Sequence, residues 1–223
     1  MTDPAQTAVK SLQELDTSHV SDAMDRLGIP GQCLGIMPVD RTFRLAGPAF
    51  TVRYVPVGTD PGSVGDYIDD LDPGTVVVLD NAGRLDATVW GDLLTATAAR
   101  RGLGGTVIDG VCRDSDRALE LGYPVYSRGR WMRTGKDRVR VDGYQTPVTV
   151  GGVRVEPGDL LIGDADGVVA IPASRADEVI AAAEQIRDAE NSIRAEVEQG
   201  AALAAARAKV SYHSLQTRQR SGG

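Results

Sequence analysis

Histidine, lysine and cysteine are scarce in this chain, and each scarcity removes a mechanism. Only His19 and His213 are present among 223 residues. Neither is well placed to serve as the base of a Ser-His-Asp hydrolase. A Schiff-base aldolase needs a desolvated lysine. Lys10 and Lys209 lie near the ends of the chain and Lys136 in a polar stretch. Cys33 and Cys112 form neither a disulfide framework nor a zinc-ligand spacing. No run of about 18 apolar residues exists, so no membrane span is expected. The stretch MTDPAQTAVK lacks the basic head and apolar middle of a signal peptide, and the expected location is the cytoplasm. A Gly-x-x-x-x-Gly-Lys phosphate loop is missing as well. The net charge is −7, and no basic run occurs outside the tail, which argues against nucleic acid as the main partner.

What is present is enough chain for a real core. Residues 1–209 read as a single domain with an N-terminal helix, an α/β core, a β meander and a C-terminal helix. Residues 210–223 read as a polar, slightly basic tail, expected to be disordered. Residues 5–28 read as helix, with Thr17 or Ser18 as cap and Gly28 and Pro30 as stop. His19 reads as a surface or cap-side histidine. In residues 31–41, a loop, Cys33 reads as a small buried filler. Residues 43–57 alternate with a period of two, with a bend at Gly47-Pro48. Residues 61–71 read as a short acidic helix.

Residues 75–79, TVVVL, are a continuous apolar run of the kind buried on both faces of a sheet. A polar loop is expected over residues 80–86. An Ala- and Leu-rich helix follows, opening at Trp90-Gly91 and closing at Gly102. Thr106-Val107-Ile108 is the next strand, broken by Asp109-Gly110. A helix from about residue 114 to 121 and a strand at residues 124–126 complete a strand–helix–strand–helix–strand series. Short connections make these strands parallel with right-handed crossovers. Residues 130–142 read as a charged loop, with Trp131 and Met132 as lid or interface contacts. Short strands separated by Gly-Gly, Pro-Gly and Asp-Gly turns then form a small meander. The last helix runs from Pro172-Ser174 to about residue 209. That length suggests that it reaches over another subunit.

Ligands of parallel sheets collect beyond the carboxyl ends of neighbouring strands. Two such ends bring Asp80, Asn81, Arg84, Asp109, Arg113 and Asp114 together. Gly91 admits a ligand close to the backbone, and the amides of Asp92, Leu93 and Leu94 can bind an anion. Together with the guanidinium fork of Arg113 they suit a small carboxylate. Asp114 beside Arg113 can hold a hard divalent cation. The pair also reads as a helix-capping residue with a surface ion pair, since charged residues are common at helix starts, and residue types leave both readings open. Glu190 falls on the apolar stripe of Val179, Ala183, Ile186, Ile193 and Val197. It stands either at the rim of a contact or facing a cation. With lysine and histidine removed, carbon chemistry through a metal-stabilised enolate is what remains.

The stretches VSDAMDRLG, WGDLLTATAARRGLGGTVIDGVCRD, PVTVGGVRVEPGDLLIGDADGVVAIP and RDAENSIRAEVEQG resemble the RraA-like family over roughly residues 15–200. That family includes class II 4-hydroxy-4-methyl-2-oxoglutarate aldolases and regulators of ribonuclease E activity. The resemblance implies an α/β layered sandwich similar to the swivelling phosphohistidine-type domain. It has a parallel βαβαβ core, a small β meander and a long C-terminal helix. It implies a homotrimer or homohexamer with sites between subunits, acting on a small 2-oxo acid. Asp114 then binds Mg²⁺ or Mn²⁺, and Arg113 holds the substrate carboxylate. The backbone of Gly91, Asp92, Leu93 and Leu94 holds the pyruvyl end. Asp92, and Glu190 from a neighbouring subunit, reach the metal through water. The implied activity is cleavage of 4-hydroxy-2-oxo acids to pyruvate with oxaloacetate decarboxylation beside it. The alternatives are a protein that binds and restrains an RNase E-type endoribonuclease, or a lyase for another 2-oxo acid. No glycine-rich cofactor loop supports a methyltransferase.

Overall fold

The computed structural model describes residues 4–59, 62–212, 215 and 217. Its N-terminal region is not one helix but two, α1 (Pro4–Gln13) and α2 (Thr17–Leu27). Asp16 separates them as an N-cap in extended conformation, and an extended residue cannot continue a helix. Its backbone N–H donates to His19 Nδ1 at 3.1 Å. Gly28, in the left-handed conformation, ends α2.

The short strand β1 (Met37–Pro38) precedes β2 (Leu45–Pro56), which is one long bent strand. Residues 62–71 do not form the acidic helix expected over residues 61–71; a single 3-10 turn, Ile68–Asp70, is all that is helical among the described residues there. Then follow β3 (Val76–Thr88), α3 (Asp92–Arg101), β4 (Gly105–Cys112), α4 (Ser115–Leu121) and β5 (Val125–Arg130). β2, β3, β4 and β5 pair in parallel, as the alternation of strand and helix predicts. Both β3 and β4 outrun their apolar segments. Residues 80–86 are irregular strand with register shifts rather than loop, and Asp109-Gly110 does not break β4. Asp109 stays inside the sheet because its carboxylate is paired with Arg128 and accepts the Gly151 N–H. A charge so satisfied can be buried. Asn81 Nδ2 donates to Ala87 O, closing the irregular part of β3 on itself.

β6 (Val139–Tyr144), β7 (Val148–Val150), β8 (Val153–Val155), β9 (Leu160–Asp164) and β10 (Gly167–Ile171) occupy the predicted positions. They do not form a separate meander. β6 pairs antiparallel with the second half of β2, and β9 with its first half, while β7 and β8 make an isolated hairpin. The main sheet is therefore mixed, in the order β1-β5-β4-β3-β2-β9-β10 with β6 attached to β2.

After a 3-10 turn, α5 (Ala176–Glu198) and α6 (Leu203–Lys209) replace the single last helix. The break falls at residues 199–202, where Gly200 takes φ 92°. The stripe of α5 is covered within its own chain: Val179, Ala183, Ile186 and Ile193 are buried, the first three in one cluster with α1, α2 and β10. That stripe is thus packed within its own chain, with Val197 at its end 39% exposed. A second, larger cluster surrounds β3, β4 and β5, with Val76, Val77, Val78 and Leu79 wholly buried. Tyr212, in the segment expected to be disordered, is packed: its hydroxyl donates to Glu190 Oε1 at 2.6 Å. His213 and the last residues lie outside the described part.

Candidate active site

Two loops meet at the carboxyl ends of β3 and β4. The first, residues 89–91, leads from β3 into α3, and the second, residues 113–114, leads from β4 into α4. They are tied by the Arg113 N–H, which donates to Trp90 O at 3.1 Å. Trp90 is 2% exposed and stacks on Tyr123 with ring centroids 6.3 Å apart. Its indole N–H donates to Thr95 Oγ1, which donates in turn to Gly91 O, each at 2.9 Å. A buried aromatic ring thus fixes the first loop from below.

Gly91 is the N-cap of α3. A Cβ on it would stand 2.8 Å from Asp114 Oδ2 and 3.0 Å from Arg113 Nε. Any larger residue would displace both side chains. Asp114 Oδ2 accepts the Asp92 N–H at 3.2 Å and lies 3.3 Å from Arg113 Nε. Asp114 itself has φ 53°, the left-handed region that favours residues with short polar side chains when glycine is not used. The carboxylate is therefore aimed by its backbone and held by one amide and one guanidinium nitrogen. Its Oδ1 has no hydrogen-bond partner among the described residues. One open carboxylate oxygen at a half-exposed position fits Mg²⁺ or Mn²⁺, which take one or two carboxylates and keep several waters. No group of three or more His, Cys, Asp or Glu residues that could hold a metal ion occurs among the described residues, so the fit is to a water-rich ion.

Beside the pair lies a cavity of about 230 Å³. Gly91, Asp92, Leu93, Leu94 and Arg113 line it on one side, with Val89, Trp90, Thr88 and Thr134. The remaining wall is Val64, Gly65 and Asp66. Leu93 is 78% exposed at its mouth. The first-turn amides of α3 have no intrahelical acceptor, as at any helix start.

The structure thus brings Gly91, Asp92, Leu93, Leu94, Arg113 and Asp114 together. The other polar residues expected at the strand ends serve the sheet instead. Asp80 Oδ2 accepts the Thr149 N–H, Arg84 pairs with Asp86, and Asp109 pairs with Arg128. Glu190 does not join Arg113 and Asp114 within one chain. Its Oε1 accepts from Tyr212, and its Oε2 faces His19 Nε2 at 3.4 Å. Of the two places expected for His19, the cap side holds and the surface does not: it is 8% exposed, and its Nδ1 accepts the Asp16 N–H in a capping box. With Nδ1 accepting, Nε2 is the ring nitrogen that faces Glu190. Trp90 and Thr95 as supports, and residues 64–66 as a wall, have no signal in local sequence. Only folding brings residues 64–66 next to α3.

The two cysteines are free and buried. Burial pushes the Cys33 thiol up to about 12, with the charge of Asp109 adding to the effect. Burial likewise raises the Cys112 thiol.

The molecule is thus a mixed α/β protein with a cleft at the carboxyl ends of its parallel strands. The chain belongs to the RraA-like family: the family model described as Aldolase/RraA matches residues 17–170. It is 38% identical over 207 residues to protein DlpA of Legionella pneumophila, covering 92% of this chain and 34% of that protein. The chain accordingly spans about a third of the length of DlpA. It is 31% identical over 172 residues to a protein of Halalkalibacterium halodurans provisionally named 4-hydroxy-4-methyl-2-oxoglutarate aldolase, covering 77% of this chain and 80% of that one. Its fold superposes on an uncharacterized protein from Pseudomonas syringae pv. tomato with a TM-score of 0.86 at 40% identity, over 93% of this chain and 100% of that one.

Proposed function

We propose that this chain is a divalent-metal-dependent lyase that cleaves 4-hydroxy-2-oxo acids and releases pyruvate. The class includes 4-hydroxy-4-methyl-2-oxoglutarate, the compound in the name of the Halalkalibacterium relative. The observation that carries the reading is the arrangement around Gly91. There one carboxylate oxygen of Asp114 is held by Arg113 and by the Asp92 amide, and the other is left open beside a cavity. A spent surface ion pair has no need of a glycine that admits it, nor of a left-handed backbone that aims it.

Arg113 binds the 2-oxo carboxylate with the guanidinium nitrogens that Asp114 does not take. The Leu93 and Leu94 amides at the start of α3 hold the same end of the substrate. Asp114 holds the metal, Mg²⁺ or Mn²⁺, which when bound polarises the 2-oxo group. Asp92, on the cavity wall, accepts the proton of the C4 hydroxyl, directly or through a water. As the C4–O bond becomes a carbonyl, the C3–C4 bond breaks and its electron pair passes to C3. Arg113 faces the negative charge that spreads into the 2-oxo acid end. Protonation at C3 gives pyruvate. Trp90, Val89 and Leu94 keep water from the reacting bond. Loss of carbon dioxide from oxaloacetate leaves the same electron pair on C3, so a slower decarboxylase activity accompanies the cleavage. Glu190 enters this chemistry only from a second copy of the chain, which makes the working form a homo-oligomer.

The test is pyruvate release from 4-hydroxy-2-oxo acids by the purified protein, with Mg²⁺ or Mn²⁺ and with EDTA. Activity with either metal and loss with EDTA support the reading. Metal-independent cleavage, or an Asp114→Asn variant as active as wild type, overturns it.

A further inference from the structure

The cavity beside Arg113 has two unlike walls. On the α3 side stand the guanidinium of Arg113 and the helix start, both receptors for an anion. The other wall, residues 64–66, is anchored rather than loose. Val64 O accepts the hydroxyl of buried Tyr54 at 2.8 Å, Ser63 O accepts the Val141 N–H at 3.0 Å, and Gly65 N–H donates to Ser63 Oγ at 2.9 Å. Gly65 has φ 92°, and a Cβ there would meet the Tyr144 hydroxyl at 2.6 Å. This wall is therefore fixed against β2 and β6, and the charged group it presents to the cavity is Asp66.

Asp66 makes no hydrogen bond or ion pair among the described residues, and its charge is felt by Tyr144. Arg113 is the only cation among the described lining residues, against two carboxylates, Asp66 and Asp92. Arg140, packed on Gly62, directs Nη1 to Val141 O and is not among the lining residues. With a divalent ion on Asp114, the charges of Arg113, Asp114, Asp92, Asp66 and the ion sum to zero. A monoanionic substrate adds one negative charge to that set, and a dianion adds two, the second against Asp66.

We infer that Asp66 makes this cavity selective for 2-oxo monocarboxylates whose far end is uncharged and hydroxylated, against 2-oxo dicarboxylates. The inference rests on the reading of the cavity as a 2-oxo acid site and narrows its substrate class. Hydroxyls of the far end can donate to the Asp66 carboxylate and exchange hydrogen bonds with Thr88 and Thr134. A second carboxylate can donate nothing and is repelled.

Two measurements on the full chain loaded with Mg²⁺ test it. The first is binding of an unreactive matched pair, 5-hydroxy-2-oxopentanoate and 2-oxoglutarate, by calorimetry. The second is kcat/KM for pyruvate release from a 4-hydroxy-2-oxo acid with a hydroxylated tail and from 4-hydroxy-4-methyl-2-oxoglutarate. Expected is a preference of about tenfold or more for the monoacid in both, since like charges a few ångströms apart near a protein surface cost at least that much. Asp66→Asn should reduce the preference about tenfold and Asp66→Lys should reverse it. Equal or tighter binding of the diacid by wild type, or an unchanged ratio in Asp66→Lys, overturns the inference. Selective binding without pyruvate release from either substrate upholds the selectivity and overturns the lyase reading alone.

Discussion

Asp114 combines three constraints in one residue: a left-handed backbone, a hydrogen bond from Asp92 N, and a neighbouring guanidinium. Asparagine tolerates the same backbone, so Asp114→Asn removes charge while keeping shape. Pyruvate release should fall by about 100-fold or more in that variant, with thermal unfolding displaced by only a few degrees. Arg113→Lys should raise KM for the 2-oxo acid at least about tenfold, because a point charge cannot reproduce the fork. Gly91→Ala should be nearly as damaging as Asp114→Asn, since its methyl would need the space of the carboxylate; an active Gly91→Ala enzyme would show that the carboxylate is free to move. Of these residues, Arg113, Asp114 and Gly91 were legible from their position at strand ends and helix starts. Asp80, Arg84 and Asp109 looked equivalent by the same rule, and partners far along the chain, Thr149 and Arg128, are what set Asp80 and Asp109 apart. Cys33 carries a pH signature of its own. Its thiol is held neutral to about 12 in the folded chain, above its value when unfolded, so the unfolded state loses its proton first. Between roughly pH 9 and 12 this group therefore lowers stability as pH rises, by at most about 1.4 kcal/mol per pH unit. Urea midpoints across that range should fall less steeply in Cys33→Ala than in wild type.

At the scale of elements, α2 is fastened to the end of β9 by one buried carboxylate. Asp164 accepts the Thr17 N–H at 2.8 Å, the Thr17 hydroxyl at 2.7 Å and the Asp166 N–H at 2.9 Å. Asp164→Ala leaves those donors without an acceptor and should cost about 2–4 kcal/mol, against about 1 kcal/mol for Thr17→Val. Chemical denaturation of the two variants separates the cases, and equal small losses would mean that water replaces the carboxylate. The parallel β3-α3-β4-α4-β5 series was legible because apolar runs and Gly102 mark its boundaries. The split of the first helix at Asp16 was not, because α1 and α2 both follow a helical pattern and the break depends on packing across β9. The fate of the predicted meander was likewise hidden. Strand positions can be read from turn residues, but which strand pairs with β2 is a matter of long-range register.

At the scale of the molecule, the chain carries a net charge of −7, and Leu93, Trp131 and Met132 stand exposed on its surface. The proposed homo-oligomer makes a sharper statement. If Glu190 of one copy completes the site of another, Asp114→Asn and Glu190→Gln protomers are each inactive alone but complementary in a mixture. Unfolding and refolding the two together should recover roughly a quarter of wild-type activity, while each refolded alone recovers none. No gain on mixing would place Glu190 outside the reaction, holding Tyr212 and His19 as it does within a single chain.

The bend in β2 joins regions that the hydrophobic clusters separate. Leu45 and Ala46 lie in different clusters, and the strand pairs first with β9 and then with β3 and β6. One backbone thus runs through the helical side and the cleft side alike, and Pro48 near the crossing offers no amide to the ladder. Opening either side must strip hydrogen bonds from the strand that supports the other. Amide exchange of Val20 in α2 and Val78 in β3 should then respond together to denaturant, with one slope and one free energy. The cleft would gain rigidity from helices it never touches.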